Sequence, residues 1–321
     1  MLQTHHIPHF KTNSGYTRGI EVTYQLFGKP LGTAPIVLVN HALTGNSAVT
    51  GSNGWWNELI GPNKAIDTNQ FTILAIDILG NGYDGSKDNL ISNYKQFHAG
   101  DIARTQLEVL KALGIDNLFA VIGGSLGGQI AWELATLLPD SIEHLVPIAT
   151  DWKATDWVIA QTRVQEQLLH NSRHPIEDAR MHAMTFYRTP ASFTQKFNRR
   201  IQGGEEQYEI ESWLSYHGKK LKERYKLETY KLMNHLLGTA DITRGETTFQ
   251  SVAQKIKAQI HLVAIDTDGL FLADEIYKTY QLLQEIEVSV SYDEIQSIHG
   301  HDAFLIEYDQ LSTLIKPIFQ K

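Results

Sequence analysis

The sequence predicts an α/β fold in which a mostly parallel central sheet is flanked by helices and carries a helical lid insertion. Three observations support this. Short, continuously apolar runs alternate with longer amphipathic stretches, the pattern of strands buried on both faces and of helices that cover them. One apolar run ends in a glycine-rich turn around Ser125 that opens directly into a helical stripe. From about Asp151 to Arg244 the strand-like runs stop, and they resume near Ile256.

Taken in order, Ile20 to Phe27 alternates apolar and polar residues, as a half-exposed antiparallel edge strand does. Ile36-Val37-Leu38-Val39 is a buried-strand run ending in Asn40-His41, and Phe71 to Asp77 and Leu118 to Ile122 repeat the pattern. Between the last two, Gly100 to Leu113 places Ile102, Leu107, Leu110 and Leu113 on one face, a crossover helix for a right-handed βαβ unit. Leu145 to Ile148, His261 to Ile265 and Glu287 to Val290 are further strand candidates. The intervening segment is rich in Gln, His, Lys, Arg and aromatics and reads as several helices. The expected division is therefore a core of residues 1–150 and 250–321 with a lid at residues 151–249.

Composition narrows the function. A chain of 321 residues, 42% hydrophobic and 20% charged, has the makeup of a folded globular protein. The net charge is −8, and the reading finds no dense Lys/Arg stretch, so nucleic acid is not an expected partner. With no cysteine there are no disulfides, thiolate metal sites or cysteine nucleophile. The N-terminus has no charged region followed by an apolar one, and no run nears the roughly 18 apolar residues of a membrane span. A cytoplasmic enzyme without a metal is expected.

Gly123-Gly124-Ser125-Leu126-Gly127 follows the strand Leu118 to Ile122 and precedes Gln129 to Leu138, whose Ile130, Ala131, Leu134, Ala135 and Leu138 form a stripe. A strand turning this sharply into a helix leaves no room for side chains two residues before and after the serine, so both places take glycine. The serine oxygen is then exposed at the sheet's carboxyl edge, where the helix N-terminus favours a developing oxyanion. A base should follow the last strand, where His299 and His301 both qualify among 14 histidines. An acid should follow Ile260 to Ile265, where Asp266 and Asp268 compete. Spacing does not choose within either pair. The loop after Asn40 should supply a second oxyanion donor, so the N–H groups of Leu43 and Leu126 are the expected pair.

Several segments together resemble the homoserine O-acetyltransferase family of the α/β-hydrolase superfamily. They include His41-Ala42-Leu43-Thr44-Gly45, Gly54-Trp55-Trp56-Asn57-Glu58-Leu59-Ile60-Gly61-Pro62, Gly124-Ser125-Leu126-Gly127-Gly128 and Gly300-His301-Asp302-Ala303-Phe304-Leu305. In the insertion, Ala179-Arg180-Met181, Tyr187-Arg188-Thr189-Pro190 and Glu211 to Lys220 continue the likeness. The resemblance implies Asp268 as acid and His301 as base. It also implies a ping-pong route from acyl-coenzyme A, acetyl-coenzyme A above all, through Ser125 to the hydroxyl of L-homoserine, with no bound cofactor and a homodimer formed through the lid. The family's carboxylate-binding arginine corresponds in this reading to Glu166, so Arg163, one helical turn earlier, is expected to replace it; Asp302 is expected to hold the acceptor ammonium. Two other readings stand beside this one: an ester or thioester hydrolase on the same scaffold, and a non-catalytic binding scaffold.

Overall fold

The computed structural model describes residues 1–203, 206–244 and 248–320. The strands are β1 (Gln3–Lys11), β2 (Thr17–Gly28), β3 (Ile36–Asn40), β4 (Ile60–Gly61), β5 (Ile66–Asp67), β6 (Thr72–Ile76), β7 (Leu118–Gly124), β8 (Ile142–Ile148), β9 (Gln259–Ile265) and β10 (Val290–Ile295). The helices are α1 (Ala99–Ala112), α2 (Leu126–Leu137), α3 (Asp156–Asn171), α4 (Pro175–Tyr187), α5 (Pro190–Phe197), α6 (Glu209–Arg224), α7 (Leu227–Thr239), α8 (Phe249–Ala253), α9 (Ala273–Glu285) and α10 (Tyr308–Phe319). Among the described residues, eight strands form one sheet in the order β1-β2-β6-β3-β7-β8-β9-β10. The β1–β2 and β2–β6 pairs are antiparallel, and every pair from β6 to β10 is parallel.

Burial explains which strands are easiest to read in the sequence. Every residue of β6 and β7 is buried, so both faces must be apolar. Leu38, Leu74 and Val121 pack on one face with α1 and α2; Val37, Val39, Ile73 and Ile122 pack on the other with Trp56 and α10. The helix expected at Gly100 to Leu113 is α1, starting one residue earlier.

Two strands depart from expectation. β1 carries His, Gln and Thr on its exposed side and was not foreseen; its register breaks between Ile7 and Phe10, where Pro8 sits on the sheet edge. The strand placed at Glu287 to Val290 lies instead at Val290–Ile295. Glu287 has φ of 57° and closes α9: its N–H donates to the Gln284 carbonyl at 3.0 Å and that of Val288 to the Leu283 carbonyl at 3.0 Å. That is a left-handed helix stop with a glutamate at the usual glycine position.

Helices α3 to α7 leave the sheet after β8 and the chain returns to it in β9. The insertion packs directly on the loops at the carboxyl edge. Thr229 Oγ1 donates to the Gly80 carbonyl at 3.0 Å, and Leu232 fills the space beside Gly80. No helix among the described residues is long and apolar enough to cross a membrane.

The turn from β7 into α2 is set by backbone contact. A Cβ on Gly127 would run into the carbonyl oxygens of Asn40 and His41 at the end of β3, and neither can swing aside. Gly127→Ala is therefore expected to cost about 1–3 kcal/mol, the usual range for overpacking. Urea unfolding followed by far-ultraviolet circular dichroism would measure this, and an unchanged midpoint would contradict the contact.

Candidate active site

At the β7–α2 junction Ser125 adopts φ 56° and ψ −127°, a conformation that a non-glycine residue keeps only when its surroundings impose it. Its N–H donates to the Ile148 carbonyl of the neighbouring strand at 2.9 Å, and its own carbonyl accepts from Gly128 and Gln129 at 2.9 and 3.1 Å. The backbone is thus held on both sides. The hydroxyl projects to His301.

His301 lies in a 3-10 turn, Gly300–Leu305, after β10. Its Nε2 is 2.8 Å from Ser125 Oγ and its Nδ1 2.7 Å from Asp268 Oδ2. An ionised carboxylate can only accept, so Nδ1 carries the hydrogen and Nε2 presents a lone pair to the serine hydroxyl. Asp268 is aimed by two backbone donors, Leu270 N–H at 2.7 Å and Phe271 N–H at 3.0 Å, both to Oδ1. Ser125, Asp268 and His301 are 5%, 5% and 3% exposed, so bulk water has little access to the relay. Tyr187, Phe271 and Phe304 surround the imidazole, with ring centres 5.4, 5.8 and 5.6 Å away.

The geometry separates the pairs that spacing left open. Asp266 accepts from Ser297 N–H at 2.9 Å and braces the loop after β10. His299 faces Ser192 Oγ at 2.9 Å and Arg188 Nη1 at 3.1 Å, away from the serine.

The N–H groups of Leu43 and Leu126 have no hydrogen-bond partner among the described residues. Leu126 is the first residue of α2, where an N–H lacks a helical acceptor. The Leu43 loop is held through its carbonyls: Tyr225 hydroxyl donates to Leu43 O, Arg224 Nη1 to Thr44 O at 2.8 Å, and Gly45 N–H to Ala42 O at 2.8 Å. Beneath it His41 is buried, its Nδ1 donating to Ala42 O at 2.8 Å and its Nε2 accepting from Ile78 N–H at 2.9 Å. Asp77 gathers Ser47 N–H at 2.7 Å, Thr23 hydroxyl at 2.7 Å and Asn81 Nδ2 at 2.8 Å. None of this scaffold was foreseen, because its members are distant in sequence and ordinary in type.

The structure does not bring Arg163 to the triad. Its side chain is 64% exposed and pairs with Glu166 at 2.5 Å; Glu166 is also held by Lys95 at 2.9 Å. The hydrogen bond from Lys95, followed by that from Arg163, keeps the Glu166 carboxyl at about 2. The reason is helical phase: Gln161 and Gln165 face the pocket beside Leu43 and Tyr187, Thr162 borders both cavities, and Arg163 and Glu166 line only the other one, with Tyr94 and His235. Asp302 does lie beside His301, with Oδ2 engaged by Arg188 Nε at 2.9 Å. Two cations reach the residues around the imidazole: Arg188, through Asp302 and His299, and Arg180, through the Tyr187 ring. The Arg180 guanidinium is 5.7 Å from the centre of the Tyr187 ring and has no carboxylate partner among the described residues.

A family model described as alpha/beta hydrolase fold matches residues 35–294. The homoserine O-acetyltransferase of Trichormus variabilis is 32% identical over 96% of this chain and 90% of its own length. Among solved structures, esterase E22 superposes with a TM-score of 0.89 at 19% identity, covering 100% of both chains. Homoserine O-acetyltransferase from Bacillus anthracis superposes at 0.85 and 19% identity, covering 100% of this chain and 98% of that one.

Burial, the larger influence, holds His41 below its ordinary value of 6.5 against the opposing pull of Asp77. An unfolded chain takes up this proton near 6.5 and the folded one does not, so the stabilisation present above that value is lost as pH falls through it. His41→Gln is accordingly expected to flatten the fall in melting temperature between about pH 7 and about pH 5. Parallel thermal scans would measure it, and an identical slope in both proteins would refute the assignment.

Proposed function

Since the chain belongs to the homoserine O-acetyltransferase family of the α/β-hydrolases, we propose that it is an acyl-coenzyme A-dependent O-acyltransferase acting on a small hydroxy amino acid, homoserine above all. The observation that supports this most is the Ser125–His301–Asp268 relay, buried under a helical insertion with the unpaired Arg180 one aromatic ring away.

In the first half-reaction, Ser125 Oγ attacks the thioester carbonyl while His301 Nε2 takes its proton. Asp268 holds the Nδ1–H and stabilises the imidazolium. The oxyanion lies between the Leu43 and Leu126 N–H groups; each such donor is worth about 3–4 kcal/mol in related chemistry. His301 returns the proton to the departing thiol, leaving the acyl group on Ser125. In the second half-reaction His301 deprotonates the acceptor hydroxyl, which attacks the acyl-serine through the same oxyanion site; collapse breaks the acyl–Oγ bond and His301 returns the proton to Ser125 Oγ.

Arg180 takes the acceptor carboxylate in place of Arg163, because its guanidinium lies against the Tyr187 ring that flanks the base and has no carboxylate partner among the described residues. The ammonium lies against the free oxygen of Asp302. Residues 151–249 act as the lid, keeping water from the acyl-serine so that transfer outruns hydrolysis. A homodimer through the insertion belongs to the same proposal.

With acetyl-coenzyme A and L-homoserine, coenzyme A release is expected to depend on the acceptor and to vanish in Ser125→Ala. Release at full rate without homoserine would make the protein a hydrolase. Asp268→Asn is expected to lower kcat about ten-thousandfold, since the amide favours the wrong imidazole tautomer. Arg180→Ala should raise the homoserine KM more than tenfold, about the loss of one charge-assisted contact, while sparing the burst of Ser125 acylation. An unchanged KM would remove Arg180 from the acceptor site.

A further inference from the structure

Outside the relay, the insertion carries several cations that make no ion pair among the described residues. Lys196 on α5, and Lys220 and Arg224 on α6, have no ion pair among the described residues, whereas nearby Lys222 pairs with Glu177 at 3.0 Å and Arg200 with Glu209 at 3.0 Å. The second half of α6 carries Lys219, Lys220, Lys222 and Arg224 within six residues, against the single carboxylate of Glu223. In a chain of net charge −8 such a cluster repels itself and gains by meeting an anion.

Each of the three cations lies against an aromatic ring. Lys196 Nζ is 5.3 Å from the centre of the Trp213 ring, Lys220 Nζ 5.6 Å from that of Tyr216, and the Arg224 guanidinium carbon 5.8 Å from that of Tyr225. The Trp213 and His217 rings are 4.2 Å apart. Burial first, then the charges of Arg180, Lys196, Lys220 and Arg188, hold His217 down at about 4, so it enters the patch as a neutral ring. Trp213 is half-buried on Phe193, Phe197 and His217, whereas Tyr216 is 55% exposed and offers a flat surface to a planar ligand.

The patch is continuous with the site. Arg224 donates to Thr44 in the loop that carries Leu43, and Arg180 joins His217 to Tyr187 and the imidazole. A hydroxy amino acid has a single carboxylate, which Arg180 alone can meet, so it leaves the outer cations unused. An acyl-coenzyme A has several phosphates and a purine, separated from its thioester by a long flexible arm.

Resting on the acyl-coenzyme A reading, we propose that the α5–α6 face formed by Lys196, Lys220 and Arg224 around Trp213 and Tyr216 docks the phosphates and adenine of the donor. Lysines and arginine bind the phosphates as charge-assisted donors, the exposed Tyr216 ring stacks on the purine, and the arm runs inward past the Leu43 loop to Ser125. Catalysis makes no use of Lys196 and Lys220, whereas Arg224 also braces the Leu43 loop; the two lysines select a nucleotide-bearing donor over a bare ester.

The test uses the full chain. Free coenzyme A is titrated calorimetrically into native protein and into the double variant Lys196→Glu, Lys220→Glu. Acylation is then compared with acetyl-coenzyme A and with S-acetylpantetheine, which lacks the nucleotide. Binding of coenzyme A should weaken about tenfold or more in the variant, the native affinity should fall with added salt, and the KM ratio of the two donors should rise by a similar factor. The ratio cancels general damage to the fold. Equal coenzyme A binding by both proteins would overturn the placement and leave the acyltransferase reading standing. No binding by the native protein would overturn both.

Discussion

Close approach of three backbone segments underlies the site: the end of β3, the end of β7 and the first turn of α2. Gly123 and Gly127 face one another so closely that a Cβ on Gly123 would lie 2.5 Å from the Gly127 carbonyl carbon. The end of β3 closes the third side. This contact turns the chain at Ser125, holds its backbone at positive φ and leaves the Leu126 N–H free. The same approach brings the Leu43 loop, which continues from β3, beside the serine. One steric constraint thus sets both the nucleophile and the two amides.

The base is fixed by a different set of forces. His301 arrives from the far end of the chain, on a loop clasped to the insertion. Arg188, at the end of α4, bonds Asp302 and faces His299, while Thr189 hydroxyl donates to the Ile298 carbonyl. Gly300 has φ of 64°, and a Cβ there would lie 2.9 Å from the Tyr187 carbonyl. A shift of α4 therefore moves the imidazole loop with it, so the insertion both covers the site and positions part of it.

Charge is distributed by distance from the serine. The innermost layer is buried, with His41 kept uncharged and Asp77 saturated by donors. One shell out stands Arg180, unpaired, with the Arg188–Asp302 pair beside it. Farther out, on α5 and α6, lie cations on aromatic rings at the surface.

Local physics made much of this molecule legible in its sequence. A strand buried on both faces must be apolar throughout, so β3, β6 and β7 were visible; a strand-to-helix turn too tight for side chains must use glycine, so Ser125 stood out. Each of those constraints acts within a few residues. Edge strands such as β1 and β10 are half solvated and can be polar, which hides them, and the stop at Glu287 uses a residue that carries no such signal. Arg163 was misplaced for a related reason: which face of α3 meets the serine depends on how α3 packs on α7 and α4, a rotation that the helix's own residues do not encode. The clasp of Arg188 on Asp302 and the bracing of Leu43 by Tyr225 likewise join groups far apart along the chain. The sequence by itself determined the chemistry on offer and the turn that exposes it; only tertiary packing decided which acid, base and arginine share one space, because that choice is made by contacts between elements and not within them.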